Sequence, residues 1–204
     1  MRDFSPRYSV PVAISRPRGA RLIEGFSPKL KRRVHLFDHL AFSLWIRLEA
    51  DPRVISLCER PARTGPNAYD PVMDFWVLRA DAEEFLMLSR DASNNTQPAP
   101  VDGIVVRHVD AAERAASDVW VSNWKRMLPV INATRDVIPK SLMKSVRDFV
   151  RQPMALAVVE HEFSCGDPMI ARGAIFEMLR RGELVAPSLR LGSLGLYTML
   201  EPST

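Results

Sequence analysis

Residues 69–90, YDPVMDFWVLRADAEEFLMLSR, restrict the possible folds more than any other part of the sequence. They contain two short apolar runs, at 73–79 and 85–90, separated by a polar turn at 81–84. Apolar runs bounded by turn residues predict a β-hairpin. An acidic residue, Asp74, stands at the start of the first run, while the second run offers no metal ligand. The hairpin therefore has only part of what a carboxylate-lined active site needs.

A helix and two more strands are predicted around this hairpin. Residues 38–50 carry apolar side chains at helical spacing, with Asp38 as the N-cap and an Asp-Pro pair at the end. Residues 53–60 and 103–109 read as strands, and the second of these would be buried on both faces if it were central in the sheet. The first half of the chain is therefore expected to be a mixed α/β domain.

After Asp110 the strand-like runs stop and helical patterns begin. A helix is predicted up to about residue 133, and Pro129 is expected to kink or end it because proline has no N–H to donate. The order that follows is helix, helix, turn, helix and two short strands, which is typical of a winged-helix module. The predicted division is an extended basic arm at 1–20, an α/β domain at 21–134 and a winged-helix-like domain at 135–204.

Positive charge is concentrated near the N-terminus. Residues 1–35 hold nine Lys and Arg against two acidic residues, while the formal net charge of the whole chain is +4. Such an excess is typical of polyanion binding, because each neutralised phosphate releases counterions. The candidate nucleic-acid-binding residues are Arg16, Arg18, Arg21, Lys29, Lys31, Arg32 and Arg33. A solvated leader with no partner is the alternative.

The sequence favours a cytoplasmic protein without an organic cofactor. It has no apolar run as long as a membrane span and no signal-peptide pattern. Cys58 and Cys165 lie far apart and match no metal spacing, so both are expected to be reduced thiols. Phosphate-binding and dinucleotide-binding fingerprints are absent from the sequence.

The stretch RLIEGFSPKLKRRVHLFDHLAFSLWIRLEADPRVISLCERP resembles the TnsA-type transposon endonuclease family. Family members show a basic lead-in, a helix closed by Asp-Pro, a strand, a Glu-x-Pro element, a Pro-Asp-Phe strand and a Glu-x-Lys strand. The resemblance covers residues 15–90, and more loosely 119–136 and the tail. It implies a restriction-endonuclease-like fold, namely a mixed sheet flanked by helices. It also implies DNA cutting at transposon ends, together with a DDE transposase and an AAA+ ATPase.

The resemblance implies four active-site positions, and only one of them keeps its chemistry. Alignment on the Asp-Pro pair puts the family's helical glutamate at Ala41 and the aspartate of the Pro-Asp-Phe strand at Asp74. The Glu-x-Lys pair falls at Leu88 and Arg90. Aliphatic side chains cannot coordinate Mg²⁺, and an arginine does not deprotonate. The residues therefore predict a vestigial site that holds no metal.

Two alternatives stay open at this stage. Asp38 lies one helical turn before Ala41 and could supply a relocated acid, which would make the chain a divergent Mg²⁺-dependent endonuclease. The other alternative is a winged-helix DNA-binding regulator with an inert nuclease-like domain. Against it, residues 135–204 contain nine Lys and Arg and eight acidic residues, so the tail is nearly neutral.

The sequence is therefore interpreted as a non-catalytic TnsA-like subunit of a DNA transposition complex. The basic arm is expected to contact the DNA of transposon ends. The tail is expected to bind a DDE transposase or an AAA+ ATPase.

Overall fold

The computed structural model describes three stretches of chain, residues 6–90, 99–164 and 167–203. The protein is mixed α/β and divides into two compact units, Met1–Ala116 and Ser117–Thr204. The sequence analysis put the boundary after residue 134, so the two divisions differ by the segment 117–134. That segment is a helix whose apolar face packs within the second unit, which explains why it groups there.

The first unit begins with a hairpin that packs on a helix. Strands β1 (Ile23–Ser27) and β2 (Arg32–Leu36) pair antiparallel, and helix α1 (His39–Ala50) follows. Gly25 of β1 lies directly over the indole ring of Trp45, where an added Cβ would come within 2.5 Å of the ring. Only glycine allows the hairpin to approach the helix this closely.

A four-stranded mixed sheet follows α1. Its strands are β3 (Ser56–Glu59), β4 (Phe75–Leu78), β5 (Glu83–Leu88) and β6 (Val105–Val109). The order is β3-β4-β5-β6; β5 and β6 are parallel and the other two pairs are antiparallel. The predicted hairpin is confirmed as β4 and β5. Its second strand starts at Glu83, two residues earlier than expected, so the polar turn is shorter.

The last strand of this sheet differs from its expected position. Strand β6 is an edge strand, and its residues are exposed or half-buried at three of five positions, so it is not buried on both faces. The core beneath the sheet is a cluster of fully or nearly fully buried side chains: Cys58, Met73, Trp76, Phe85, Ile104 and Val106. Cys58 is a free thiol, as expected; Cys165 lies outside the described residues.

The described part of the N-terminal arm, residues 6–20, contains no helix or strand. Its first residues lie against the sheet. The ring of Tyr8 packs on Trp76 and Phe85, with centroid distances of 5.6 and 5.2 Å. The backbone N–H of Val12 donates to the carbonyl oxygen of Arg60 at 2.8 Å. Residues 8–12 of the arm are therefore attached to the first unit instead of belonging to a free leader.

Helix α2 (Ala111–Ala115) ends the first unit, and helix α3 (Asp118–Thr134) opens the second. The sequence predicted one continuous helix here. Pro129 lies inside α3, and the helix continues five residues beyond it. Of the two outcomes expected for this proline, a kink or an end of the helix, the end does not occur. Side chains on both sides of it, including Met127 and Ile131, are buried in the second unit and hold the helical conformation.

The remaining helices and the last two strands of the second unit come in the predicted order, with an unpredicted strand and a short 3-10 helix added. The remainder of this unit comprises α4 (Lys140–Phe149), β7 (Met154–Ala155), α5 (Leu156–Phe163), α6 (Pro168–Arg181), β8 (Leu184–Val185), a short 3-10 helix (Pro187–Arg190) and β9 (Met199–Pro202). The three short strands form an antiparallel sheet in the order β7-β9-β8. Strand β7 was not predicted, because two residues carry no periodic signal.

Helix α6 is the centre of the second unit. Asp167 is its N-cap, with a carboxylate that accepts the N–H of Met169, and Gly182 is its C-cap, with a φ of 71°. Gly173 allows α6 to approach α3, since a Cβ there would lie 2.1 Å from the hydroxyl oxygen of Thr134. None of the helices in the described stretches is long and apolar enough to cross a membrane.

Candidate functional site

The N-terminus of α1 and the adjacent ends of β4 and β5 form the candidate site. In the antiparallel pairing, Phe75 lies opposite Leu86, so the start of β4 is next to the end of β5. Asp74 immediately precedes β4, and its backbone N–H donates to the carbonyl oxygen of Leu86 at 3.0 Å. This register places Asp74 and Arg90, which are 16 residues apart, beside each other.

One guanidinium joins two carboxylates at this site. Nη2 of Arg90 lies 2.7 Å from Oδ1 of Asp74 and 2.9 Å from Oδ2 of Asp38. Nη1 of Arg90 lies 3.3 Å from Oδ2 of Asp74. We call these three residues the Arg90 cluster. Its formal charge is −1, and the arginine satisfies oxygens that would otherwise face a cation or water.

Asp74 is the least accessible member of the Arg90 cluster. Its side chain is 10% exposed, against 38% for Asp38 and 48% for Arg90. Oδ2 of Asp74 also accepts the backbone N–H of Leu88 at 2.7 Å. The carboxylate therefore holds β5 through its backbone and through Arg90, and its oxygens are already engaged.

Asp38 has two structural tasks. Its Oδ1 accepts the N–H of Ala41 at 2.7 Å and so caps α1, as the sequence predicted. Burial alone would raise the pKa of Asp38, but the hydrogen bonds from Ala41 and Arg90 outweigh it and hold the pKa below its usual value. Burial would likewise lower the pKa of Arg90, yet the two carboxylates raise it. Both groups are therefore charged at neutral pH.

The residues at this site do not fit a divalent cation. Ala41 is 8% exposed and Leu88 is 5% exposed, and both side chains are aliphatic. Mg²⁺ requires oxygen ligands in a near-octahedral arrangement. Within residues 6–90, 99–164 and 167–203, no group of three or more His, Cys, Asp and Glu side chains is placed to hold a metal ion. Of the residues that the structure describes, Asp38 and Asp74 contribute carboxylates here, and the guanidinium of Arg90 contacts both.

The two acidic residues of β5, Glu83 and Glu84, lie far from the Arg90 cluster. Glu83 accepts the indole N–H of Trp76 at 2.9 Å, and Glu84 pairs with Arg79 and Arg107. Glu84 is four residues from Leu88, which is about 13 Å along a strand. These carboxylates therefore cannot replace the one that the resemblance expects at Leu88.

The seven candidate DNA-binding residues fall into two groups. Arg16, Arg18, Arg21, Lys31 and Arg33 are exposed. Lys29 instead donates through Nζ to the carbonyl oxygens of Asp51 and Val54, at 2.9 and 2.7 Å. Arg32 makes two hydrogen bonds to the buried Glu59, at 2.8 and 2.7 Å. Five of the seven positive charges are thus on the surface, and two hold the first unit together.

The arginines of α6 are also paired. Arg172 makes two hydrogen bonds to Glu160 of α5, at 2.5 and 2.8 Å. Arg180 and Arg181 both bind Glu177, with distances of 2.6 to 2.7 Å. The sequence analysis did not predict these pairings. The spacing of Glu177 to Arg180 and Arg181, three and four residues on one helix, was a signal that could have revealed their pairing.

Comparisons with known proteins add no assignment to this geometry. No family model matches the chain, and no curated protein matches it either.

Proposed function

We propose that this protein is a non-catalytic, TnsA-like subunit of a DNA transposition complex. The Arg90 cluster is the observation that carries the proposal. The positions that the resemblance assigns to catalysis lie together at one end of β4 and β5 and at the start of α1. Ala41 and Leu88 supply no ligands there, and Arg90 occupies the two carboxylates that remain.

DNA contact is assigned to the exposed residues of the basic N-terminal region. Arg16, Arg18 and Arg21 lie within six residues of one another and are all exposed. Arginine side chains at such density bind phosphates with little sequence preference. Nη1 of Arg33 lies 3.8 Å from Oε2 of the exposed Glu24. Such a surface ion pair contributes little to stability, because water screens the charges.

The second unit is assigned to protein contacts, with a DDE transposase or an AAA+ ATPase as the partner. Its order of helices and short strands supports a winged-helix-like interpretation. A helix that reads DNA needs basic or amide side chains available for base edges. On α6, the three arginines are engaged by Glu160 and Glu177 instead. The pairing therefore favours a partner-binding role over that of a DNA-binding regulator.

The absence of catalysis is tested with an end-cleavage assay. Purified protein, with and without the transposase and ATPase, is incubated with transposon-end DNA and either Mg²⁺ or Mn²⁺. We expect the wild type and Asp74→Asn to give the same cleavage, so that any cutting comes from the partners. Cutting that the wild type supports and Asp74→Asn abolishes would overturn the proposal.

DNA contact is tested separately on the triple variant Arg16→Ala, Arg18→Ala and Arg21→Ala. We expect weaker binding to duplex DNA and a salt dependence whose slope falls by about one for each lost phosphate contact. The matched control changes three exposed basic residues of the second unit, Lys140, Lys144 and Arg151, to alanine. Equal losses in both triple variants would argue against an arm-specific contact.

A divergent Mg²⁺-dependent endonuclease is the second candidate. The observation in its favour is that Asp38 and Asp74 contact the same guanidinium, so a displaced Arg90 would leave two carboxylates facing one site. Mn²⁺ titration monitored by NMR tests this candidate directly. Selective paramagnetic broadening of the Ala41 and Leu88 amides, lost in Asp74→Asn, would favour the enzyme over the silent subunit.

A further inference from the structure

A groove in the second unit lies between α3, α6 and the loop that precedes β9. Its volume is about 240 Å³. Residues from all three elements line it: Arg126 and Val130, Arg172 and Phe176, and Leu194 and Leu196. Pockets for drug-sized ligands and cofactors start at about 300 Å³. The size therefore suits one or two side chains of another protein better than a nucleotide or an organic cofactor.

The floor of this groove is apolar and its backbone groups are already used. Phe176 is 2% exposed and forms part of the lining. The N–H of Leu194 donates to Asn123 at 2.7 Å, and the carbonyl oxygen of Leu196 accepts the N–H of Ala157 at 2.9 Å. An extended peptide could not add to these backbone groups as a strand, so recognition would depend on side chains.

The polar side chains of the groove are both arginines. Arg172 is held by Glu160, which offsets its charge. Arg126 is exposed and donates to the carbonyl oxygen of Leu194 at 3.0 Å, and a carbonyl does not neutralise a guanidinium. None of the described residues that line the groove is acidic. The groove therefore combines an apolar floor with a positive edge.

Exposed apolar side chains continue from the groove onto the surface. Leu196 is 55% exposed, and the next residue, Tyr197, is 89% exposed. Tyrosine and arginine are enriched at the centres of protein interfaces, where the fully buried area is more apolar than the rest of the surface. Phosphate backbones, in contrast, gain nothing from an apolar floor.

We propose that this groove binds a segment of a partner protein that presents an apolar side chain next to Asp or Glu. The apolar side chain occupies the floor over Phe176, and the carboxylate pairs with Arg126 at the edge. The inference rests on the proposed partner-binding role of the second unit and names the chemistry of the segment that it recognises.

The test uses the full chain, labelled with ¹⁵N, and three synthetic peptides. The first is acetyl-Asp-Asp-Leu-Phe-Asp-Asp-amide. In the second, Asn replaces every Asp; in the third, Gly-Ser replaces Leu-Phe. We expect only the first peptide to shift the amide resonances of Val130, Phe176 and Leu196. Equal shifts with all three peptides, shifts confined to other residues, or no shift would overturn the inference.

Two variants sharpen the result. Arg126→Ala should weaken binding of the first peptide about two- to fivefold, as expected for an exposed charge pair. Leu196→Asp should abolish binding, because it places a negative charge on the rim of the groove. The matched control, Lys125→Ala, removes the same charge about 100° around the same helix and should leave the affinity unchanged. A well-dispersed spectrum establishes that each variant is folded. Equal weakening by Lys125→Ala would reduce the effect to general electrostatics and overturn the inference.

Other occupants give distinct outcomes. Concentration-dependent shifts of the groove residues without peptide would identify a second copy of the chain, and groove shifts with duplex DNA would identify nucleic acid. Either result would contradict the inference. Failure of the proposed function is measured elsewhere, in end cleavage by the protein without its partners and in DNA binding by the arm, neither of which involves Arg126 or Leu196.

Discussion

Each compact unit holds a poorly exposed carboxylate against arginine side chains, but the two units build this arrangement differently. In the first unit, Arg90 connects Asp38 and Asp74, which belong to different elements and lie 52 and 16 residues from it. In the second unit, Glu177 binds Arg180 and Arg181 of the same helix. One cluster depends on the tertiary fold, while the other could form as soon as the helix does.

Because they are built differently, the two clusters contribute differently to stability. Pairs spaced three and four residues apart on a helix add a few tenths of a kcal/mol to that helix. A cluster between elements fixes how a helix and two strands meet, so its loss affects a larger part of the unit. The Arg90 cluster is therefore the more specific feature, and it lies where the resemblance to an endonuclease implies a metal site.

The largest expected effect is that of Asp74→Ala. The change leaves the backbone N–H of Leu88 without its acceptor and Arg90 without its main partner, because Asp74 binds both. An unsatisfied buried donor together with a broken ion pair costs about 3 kcal/mol. Amide hydrogen exchange, which resolves the two units, should show lower protection in β4 and β5 and unchanged protection in α6. Unchanged protection in β5 would show that the cluster does not hold the strands.

Glu177→Ala should have a smaller effect on the second unit, about 1 kcal/mol for the loss of two helical pairs of a few tenths each. It breaks the contacts of Glu177 with both arginines, but it removes no acceptor from a backbone N–H. Arg181 is half exposed and can return to water, while the side chain of Arg180 is only 11% exposed. Amide hydrogen exchange in α6 measures this loss of stability. A loss larger than that of Asp74→Ala would reverse the ranking of the two clusters.

Arg90→Lys tests whether geometry or charge matters in the first cluster. Lysine keeps the positive charge but cannot form the two-pronged contact with Asp74 and reach Asp38 as well. We expect a loss of about 1 kcal/mol, seen as faster exchange at the ends of β4 and β5. Arg181→Lys is the matched control in the second unit. It should cost less, because Arg181 makes a single hydrogen bond to Glu177 and only a long contact, at 3.9 Å, with Glu183. Equal losses would indicate that only the charge is needed.

Sequence patterns predicted those parts of the structure that depend on near neighbours. Asp38 as an N-cap and the β4–β5 hairpin both follow from local signals, and both are confirmed. Local patterns could not predict that Arg90 pairs with Asp74, because that contact depends on the register that places Phe75 opposite Leu86.

Composition likewise gives the number of charged residues but not the direction in which their side chains point. Lys29 and Arg32 contributed to the basic excess of the arm, yet both point to partners in the first unit that are 22 to 27 residues away. The domain boundary predicted at residue 134 differs from the observed division for the same reason, because a sequence pattern does not show which element a side chain packs against. The apolar stripe of α3 shows that the helix packs on something, but it does not show that the partner is α6.

The smallest expected effect is the response of the two clusters to acid. The hydrogen bonds described above hold the pKa of Asp38 below its usual value, and the guanidinium groups of Arg180 and Arg181 do the same for Glu177 against the opposing effect of burial. A lowered folded-state pKa means stabilisation that is complete above the unfolded-state pKa, near pH 4, and lost as the pH falls through the folded-state value. Carboxyl ¹³C NMR should therefore show both groups titrating below ordinary Asp and Glu residues.

In Arg90→Ala the pKa of Asp38 should rise while that of Glu177 stays constant, because the ion pair in the first unit is lost and the pair within α6 is kept. A pKa of Asp38 that did not move would mean that the hydrogen bond from Ala41 alone lowers it, and that Arg90 joins the two carboxylates without stabilising their charge.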